Sequence, residues 1–116
     1  MGKTSKHRLY DVQQAIASIQ RLTAAASRDD FLANEMLQLA VAFQFDVIGE
    51  ALKNASELDS SLQVMIPDLR LMVGMRNRIF HAYDEIDFEL LWDTIQTDLP
   101  ELQTLLGSSL FQEVHE

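Results

Sequence analysis

The chain has 116 residues, is 47% hydrophobic and carries a formal net charge of −9, so we expect a single domain over residues 1–116 with flexible ends at 1–5 and 108–116. The acidic charge argues against a broad basic surface that binds nucleic acid. Because the chain contains no cysteine, we exclude disulfides and thiolate metal sites. Because it has no apolar run of the roughly 18 residues that a membrane helix needs, we expect a cytoplasmic protein with no membrane contact.

The first half of the chain predicts two scaffold helices. Ser5 is placed to cap a helix that runs to about Ala26, because apolar residues recur there at three- and four-residue intervals. The polar segment 27–30 has two acidic N-cap candidates, Asp29 and Asp30, and a long apolar-rich helix is expected over residues 31–57. One apolar stripe of this helix comprises Leu32, Met36, Leu39, Phe43 and Val47. Other faces are apolar as well, so we expect one face to contact another protomer.

A short helical piece and the third helix follow. Residues 59–61 predict a turn, and residues 62–66 predict a short helical piece. Pro67 is a suitable first residue for the third helix, because the first amides of a helix have no intrahelical partner. We expect this helix to continue to about Tyr83.

The fourth helix completes the predicted architecture. Asp87 is expected to cap it, and Gly107 is expected to end it. Pro100 lacks an amide donor, so it should kink or divide this helix near Leu99. No β-type alternation interrupts the helical pattern. We therefore predict an all-α fold, an antiparallel four-helix bundle with a short extra helical piece.

The third helix carries more polar chemistry than a core helix needs. Its sequence from 69 to 87 is LRLMVGMRNRIFHAYDEID. At about 100° per residue, Arg76 lies at the centre of the apolar stripe. A second stripe comprises Arg70, Gly74, Asn77, His81 and Asp84. Since Gly74 has no side chain, it marks a place where another molecule can approach closely.

The run GMRNRIFHAY at residues 74–83 resembles the signature of HepT-like ribonuclease toxins in the HEPN superfamily, in which Arg is followed after four to six residues by His, then by one residue and Tyr. Further segments that agree with this family, in order, are 47–51, 66–67, 91–92 and 98–100. The family often has a Trp directly after the Ile-Pro pair, whereas Asp68 and Leu69 follow here. The resemblance spans most of the chain.

The resemblance implies RNA cleavage without a metal ion or other cofactor. Carried onto this sequence, the catalytic pair is Arg76 and His81, and Asn77 and Tyr83 support them. The chemistry of these residue types agrees. A guanidinium can stabilise negative charge on a pentacoordinate phosphorus, and an imidazole can exchange protons with a ribose 2′-hydroxyl or a leaving oxygen.

Each catalytic assignment has a structural alternative. Arg76 can instead form an ion pair with Asp46 or Glu50 of the second helix, because a guanidinium on an apolar stripe needs an acceptor. His81 can instead be a helix-terminal imidazole that is stabilised by the negative end of the helix dipole. In the catalytic interpretation, the Asn77 amide orients the imidazole from one helical turn away.

The uneven charge of the chain indicates where RNA could approach. Residues 84–116 contain nine of the 18 carboxylates and no Lys or Arg. Basic residues are grouped on the third helix instead, where Arg70 and Arg78 are the candidate RNA-binding residues beside the catalytic pair.

Helix geometry predicts a homodimer. Residues five apart on an ideal helix point about 140° away from each other, so Arg76 and His81 do not converge within one straight helix. Either the helix tightens or bends between them, or two copies face each other across a twofold axis. We favour the second arrangement, and the HEPN resemblance implies the same dimeric cleft.

Tyr83 is the candidate regulatory residue. By position alone it is equally a half-buried aromatic with a solvated hydroxyl. In HepT-like toxins, a cognate MNT-type nucleotidyltransferase antitoxin modifies the tyrosine of this motif with AMP, and in this sequence that residue is Tyr83. An attached nucleotide would place phosphate-bearing bulk beside Arg76.

The leading functional prediction is a dimeric ribonuclease toxin of a type VII-like toxin–antitoxin pair, with tRNA or mRNA as substrate and AMP addition to Tyr83 as its off-switch. The alternative from another class is a non-catalytic HEPN binding subunit that partners a nucleotidyltransferase, which the acidic charge favours. A third alternative is a structural helical bundle in which a carboxylate seals Arg76 from solvent.

Overall fold

The computed structural model describes residues 4–81 and 85–108, and of residues 80 and 81 it describes the backbone only. The predicted all-α fold is confirmed, since every regular element in the described ranges is a helix. The helices are α1 (Ser5–Thr23), α2 (Arg28–Ala33), α3 (Glu35–Leu58), α4 (Leu62–Met65), α5 (Leu69–His81), α6 (Phe88–Gln96) and α7 (Asp98–Leu106). None of the described helices is long and apolar enough to cross a membrane.

The boundaries of α1 differ slightly from the prediction. Thr4, not Ser5, caps the helix, because the Thr4 hydroxyl accepts a hydrogen bond from the His7 amide at 3.2 Å. Ser5 is already inside the helix and is buried. The helix ends at Thr23, before the run of small residues that extended the predicted helix to Ala26.

The predicted helix over residues 31–57 is divided in two, which corrects that prediction. Ser27 caps α2, because its hydroxyl accepts from the Asp30 amide at 3.1 Å while the Asp30 carboxylate accepts from the Ser27 amide at 3.0 Å. Asp30 therefore lies in the first turn and is not the N-cap. Asn34 has extended backbone and accepts from the Leu37 amide at 3.0 Å, so it begins a new helix.

Capping chemistry also sets the later boundaries. α5 begins at Leu69 rather than at Pro67, because Pro67 and Asp68 form a turn. The predicted cap at Asp87 is confirmed, since its carboxylate accepts from the Leu90 amide at 3.1 Å. The predicted division near Leu99 occurs at Thr97. Pro100 is then in the first turn of α7, where an amide donor is not needed. The predicted end at Gly107 is confirmed, and Gly107 is the C-cap of α7.

α3 is the central element of the fold. It packs against α1 on one side and α5 on the other, while α2 contacts α3 and α6, and α7 contacts α1 and α6. Asp46 of α3 contacts Arg76, whereas Gly49, further along α3, lies close to the earlier residue Met72, so α3 and α5 run antiparallel. The largest fully buried side chains include Ile16, Phe31, Phe45, Ile48, Leu52, Met72, Leu91 and Leu99. One core thus joins the helices on both sides of α3.

α3 exposes much of the predicted apolar stripe. Met36 is 83% exposed and Phe43 is 62% exposed, and Leu39 between them is exposed as well. The core instead receives the opposite face of the helix, which includes Phe45 and Ile48. We call Met36, Leu39 and Phe43 the α3 apolar stripe. It is apolar surface that the described residues leave exposed.

Gly49 allows α3 and α5 to approach closely. A Cβ atom built on Gly49 would lie 2.6 Å from the Arg76 Cβ and 2.9 Å from the Met72 carbonyl oxygen. Neither atom is the end of a flexible side chain, so the helices would have to separate to accept it. Gly74 on α5 differs, because a Cβ there would meet nothing within 4 Å.

The two glycines give a matched test of this helix contact. Gly49→Ala is expected to lower the free energy of unfolding by about 1–3 kcal/mol through overpacking. Gly74→Ala is expected to raise it by roughly 0.5–1 kcal/mol, because alanine favours the helix more than glycine does. Urea unfolding followed by circular dichroism measures both. Equal stability of the two variants would contradict the close contact at Gly49.

Candidate active site

Arg76 is held by two carboxylates of α3. Its Nη2 atom lies 2.9 Å from Glu50 Oε1, and its Nε atom lies 3.4 Å from Asp46 Oδ1. The two carboxylates are four residues apart and therefore occupy adjacent turns of one helix face. The sequence analysis gave Asp46 or Glu50 as the ion-pair partner of Arg76, and the structure confirms a contact with both.

The contact does not seal Arg76 from solvent. The Arg76 side chain is 23% exposed and the Glu50 side chain is 47% exposed. The Nε atom of Arg76 and Oδ1 of Asp46 are buried and close, but they are not aligned for a hydrogen bond. Glu50 therefore provides the directional contact, and Asp46 adds a nearby negative charge. The third alternative from the sequence, a sealed structural arginine, does not match this exposure.

The two carboxylates differ in their surroundings. Burial raises the pKa of the Asp46 carboxyl, and this effect outweighs the nearby Arg76 charge, which lowers that pKa. The Glu50 charge raises the pKa of Asp46 further. Glu50 has a polar neighbour instead. The Asn54 amide donates a hydrogen bond to Glu50 Oε2 at 3.2 Å, and this helps to fix the carboxylate whose other oxygen contacts Arg76.

The predicted site residues lie along α5. Asn77, Arg70 and Arg78 are exposed, as the RNA-facing interpretation requires. His81 is the last residue of α5, but its side chain is outside the described residues. Tyr83 is also outside the described residues. The structure therefore places Arg70, Arg76, Asn77 and Arg78 on one helix.

α5 keeps α-helical geometry throughout its length, from Leu69 to His81. The sequence analysis gave two ways in which a single chain could bring Arg76 and His81 together, a tightened helix or a bent one. The helix does not tighten between these residues. The directions of the two residues from the helix axis remain about 140° apart if the helix is straight.

The sequence analysis missed two residues that position Arg76. Gly49 brings α5 against α3, and Asn54 holds the outer oxygen of Glu50. A glycine in the interior of a long helix costs about 1 kcal/mol relative to alanine, so it is a signal of close packing. The spacing of four residues between Glu50 and Asn54 is the corresponding signal for the hydrogen bond.

One group of carboxylates in the described part of the chain has the spacing of a cation site. Oxygen atoms of Asp68, Asp98 and Glu101 lie within 4.8 Å of one another. Burial, and then the charges of Asp98 and Glu101, raise the pKa of the Asp68 carboxyl. Asp68 is eight residues before Arg76, which is about 12 Å along a helix, so this group is not part of the arginine site.

Comparisons with known proteins agree with the resemblance in the motif. The family model described as "Ribonuclease HepT-like" matches residues 12–108. A protein of Thermococcus cleftensis named "Probable ribonuclease HepT" is 36% identical over 103 residues, which are 89% of this chain and 93% of the relative. A protein of Methanocaldococcus jannaschii named as a putative RNase is 29% identical over 97 residues, which are 82% of this chain and 86% of that relative. No solved structure matches the chain. The family match over most of the sequence shows that this chain belongs to the HepT-like ribonuclease family.

Proposed function

We propose that this protein is a metal-independent ribonuclease that acts as the toxin of a type VII-like toxin–antitoxin pair and cleaves RNA in a cleft between two protomers. The observation that carries the proposal is the arrangement around Arg76. Its guanidinium is oriented by Glu50, remains accessible to solvent, and lies on the same helix as His81. Membership of the HepT-like ribonuclease family supports RNA as the substrate.

The proposed reaction is an internal transfer of the phosphate. The ribose 2′-oxygen attacks phosphorus and the bond to the 5′-oxygen breaks, which leaves a 2′,3′-cyclic phosphate and a 5′-hydroxyl. Arg76 stabilises the charge that develops on the phosphoryl oxygens. His81 either removes the proton of the 2′-hydroxyl or protonates the leaving 5′-oxygen. Solvent water exchanges the other proton, so the step balances without an oxidant.

The α3 carboxylates are compatible with this role. A guanidinium carries five N–H donors in a planar fork, so contact with a carboxylate does not exclude contact with a phosphate. Glu50 and Asp46 orient the arginine before substrate arrives, which reduces the reorganisation needed in the transition state. The second candidate function, a non-catalytic subunit that partners a nucleotidyltransferase, is favoured by the net charge of −9 and by these same carboxylates. The cleavage assay distinguishes the two.

Arg76→Ala and His81→Ala are each expected to lower the rate of RNA cleavage by roughly 100-fold or more, since one variant removes charge stabilisation and the other removes proton transfer. Arg76→Lys keeps a positive charge opposite Glu50 but lacks the planar fork, so it should fold and still lose most activity. The assay uses end-labelled RNA in the presence of a metal chelator.

The controls for this assay are charge-matched changes on α1. Arg21→Ala and His7→Ala remove the same residue types from exposed positions and should retain cleavage. Circular dichroism confirms that each variant is folded. Full cleavage by a folded Arg76 or His81 variant contradicts the catalytic assignment, and absence of cleavage by the unchanged protein on all RNAs favours the non-catalytic subunit.

The second part of the proposal is the homodimer. The continuous α5 helix supports it, because Arg76 and His81 of one straight helix point apart. The α3 apolar stripe supports it as well. Phe43 precedes Glu50 by seven residues, so the stripe and the Arg76 ion pair lie on one face of α3. A second copy that covers the stripe would bring its own α5 close to this site.

Phe43→Asp should weaken the dimer, because it places a charge in the α3 apolar stripe, at the end nearer the Arg76 ion pair. Leu58→Asp is the matched control, since Leu58 is another exposed apolar residue, near the opposite end of α3. Light scattering at micromolar concentration measures the oligomeric state, and the RNA assay is run on the same samples. A stable monomer that cleaves RNA at the full rate would rule out a shared cleft.

The third part of the proposal concerns regulation at Tyr83. A partner nucleotidyltransferase joins the Tyr83 oxygen to the α-phosphorus of ATP, pyrophosphate leaves, and the phenol proton is released. Tyr83 follows Arg76 by seven residues and therefore lies on the same side of a helix. The attached AMP would add negative charge and bulk next to Arg76, the residue at which the substrate phosphate is proposed to bind. Silencing therefore requires no unfolding of the helices.

Intact-protein mass spectrometry should detect AMP addition after incubation with a nucleotidyltransferase encoded beside this chain and ATP. Peptide mapping should place the adduct on Tyr83, and Tyr83→Phe should stay unmodified. The chain contains one other tyrosine, Tyr10, which is exposed and serves as an internal control. Adducts confined to Tyr10, or no adduct with an active partner, would overturn this assignment.

A further inference from the structure

A groove of about 790 Å³ is lined by α3, α4 and α5, and it begins at Asn77, the residue that follows Arg76. On α3 it begins with Lys53, which follows Glu50 by three residues and so lies on the same side of the helix. On α5 it begins with Asn77, the neighbour of Arg76, and extends back through Gly74 to Arg70. The groove therefore runs away from the arginine site along the contact between the two helices.

The groove carries positive charge on both walls. Lys53 on α3 and Arg70 on α5 are exposed, and among residues 4–81 and 85–108 neither forms an ion pair with a carboxylate. Glu57 is the one carboxylate that lines the groove in the described structure. The lining of the groove therefore carries a net positive charge of one, in a chain whose net charge is −9. It is suited to an anionic chain that continues beyond the phosphate at Arg76.

The surface between the charged walls is open and partly apolar. Gly74 leaves backbone uncovered, and a Cβ there would still meet nothing within 4 Å. Val73 and Val64 supply apolar surface, and Asn77 supplies an amide. Single-stranded RNA presents separate phosphates and unstacked bases, and the exposed edges of such bases form hydrogen bonds with polar side chains such as the Asn77 amide.

We propose that this groove binds the single-stranded RNA that adjoins the phosphate at Arg76, and that Lys53 and Arg70 contact its phosphates from opposite walls. The inference rests on the proposed ribonuclease function, because the groove and the arginine would bind one continuous strand. It adds Lys53 and the open backbone at Gly74 to the substrate site.

The absence of native cysteine allows a direct test of groove occupancy. Gly74→Cys introduces a single thiol at a position with room for it, and the His81→Ala change in the same chain keeps the RNA intact. Alkylation of this thiol by a maleimide is followed with and without a single-stranded RNA. Ala33→Cys is the control, because Ala33 is exposed at the end of α2, beside the start of α3, and Lys53 lies about 27 Å from that start along α3.

Single-stranded RNA is expected to slow alkylation at position 74 several-fold and to leave the rate at position 33 unchanged. An RNA duplex of the same sequence should protect position 74 less. Equal protection by the duplex would overturn the assignment to single strands. A thiol that does not react without RNA would show that the groove is closed in solution, and it would overturn the proposal as well.

A second measurement tests the charge contacts. Lys53→Ala should weaken RNA binding and reduce the slope of log affinity against log salt concentration by about 0.7, the value for one lost phosphate contact on a single strand. Arg21→Ala changes the net charge equally on α1 and should leave the slope as it is. Identical slopes for the two variants would contradict a phosphate contact at Lys53.

The outcomes separate this inference from the proposed function. If the unchanged protein cleaves RNA but RNA does not protect position 74, the groove assignment is wrong and the ribonuclease proposal stands. If RNA protects position 74 but is not cleaved by the unchanged protein, the groove assignment stands and the catalytic proposal is wrong. If RNA is neither bound nor cleaved, both are wrong.

Discussion

The ion pair between Arg76 and the two carboxylates of α3 is the contact on which the functional part of the structure depends. It exists because Gly49 lets α5 approach α3 closely enough for the guanidinium to reach Asp46 and Glu50. An ion pair with a partner as exposed as Glu50 stabilises a fold by only about 0.2–1 kcal/mol. Its main effect is therefore on orientation, since it fixes the Arg76 guanidinium relative to α3 and α5.

The acidity of the chain becomes less of an obstacle to RNA binding once the charges are placed in the structure. Half of the 18 carboxylates lie in residues 84–116, after the last Lys or Arg, and none of those that the structure describes lines the groove, whereas Lys53 and Arg70 do. Charges more than about 10 Å apart are largely screened at physiological salt, so the local groups decide short-range binding. The net charge still slows the approach of a polyanion, and this effect is largest at low ionic strength.

Local rules explain which features could be predicted from the sequence. The cap at Asp87 was predictable because a cap and its amide donor are three residues apart, and the partners of Arg76 were predictable because a guanidinium among apolar residues needs a carboxylate. The break between α2 and α3 at Asn34 was not predictable, since the helical periodicity of the sequence continues across it. Periodicity also showed that several faces of α3 are apolar without showing which one is exposed. The roles of Gly49 and Lys53 depend on how α3 and α5 pack, which no short segment contains.

The α3 apolar stripe has a consequence for dosage. Because the proposed cleft needs two copies of α5, the concentration of assembled sites rises with the square of the chain concentration as long as most chains are monomers. A twofold rise in synthesis would then produce about a fourfold rise in cleavage sites under these conditions. Cells with few copies of the chain would be nearly unaffected, and the transition to harm would be steeper than a monomeric enzyme allows. With the proposed dimer, the exposed Met36 and Phe43 would therefore set a threshold of expression.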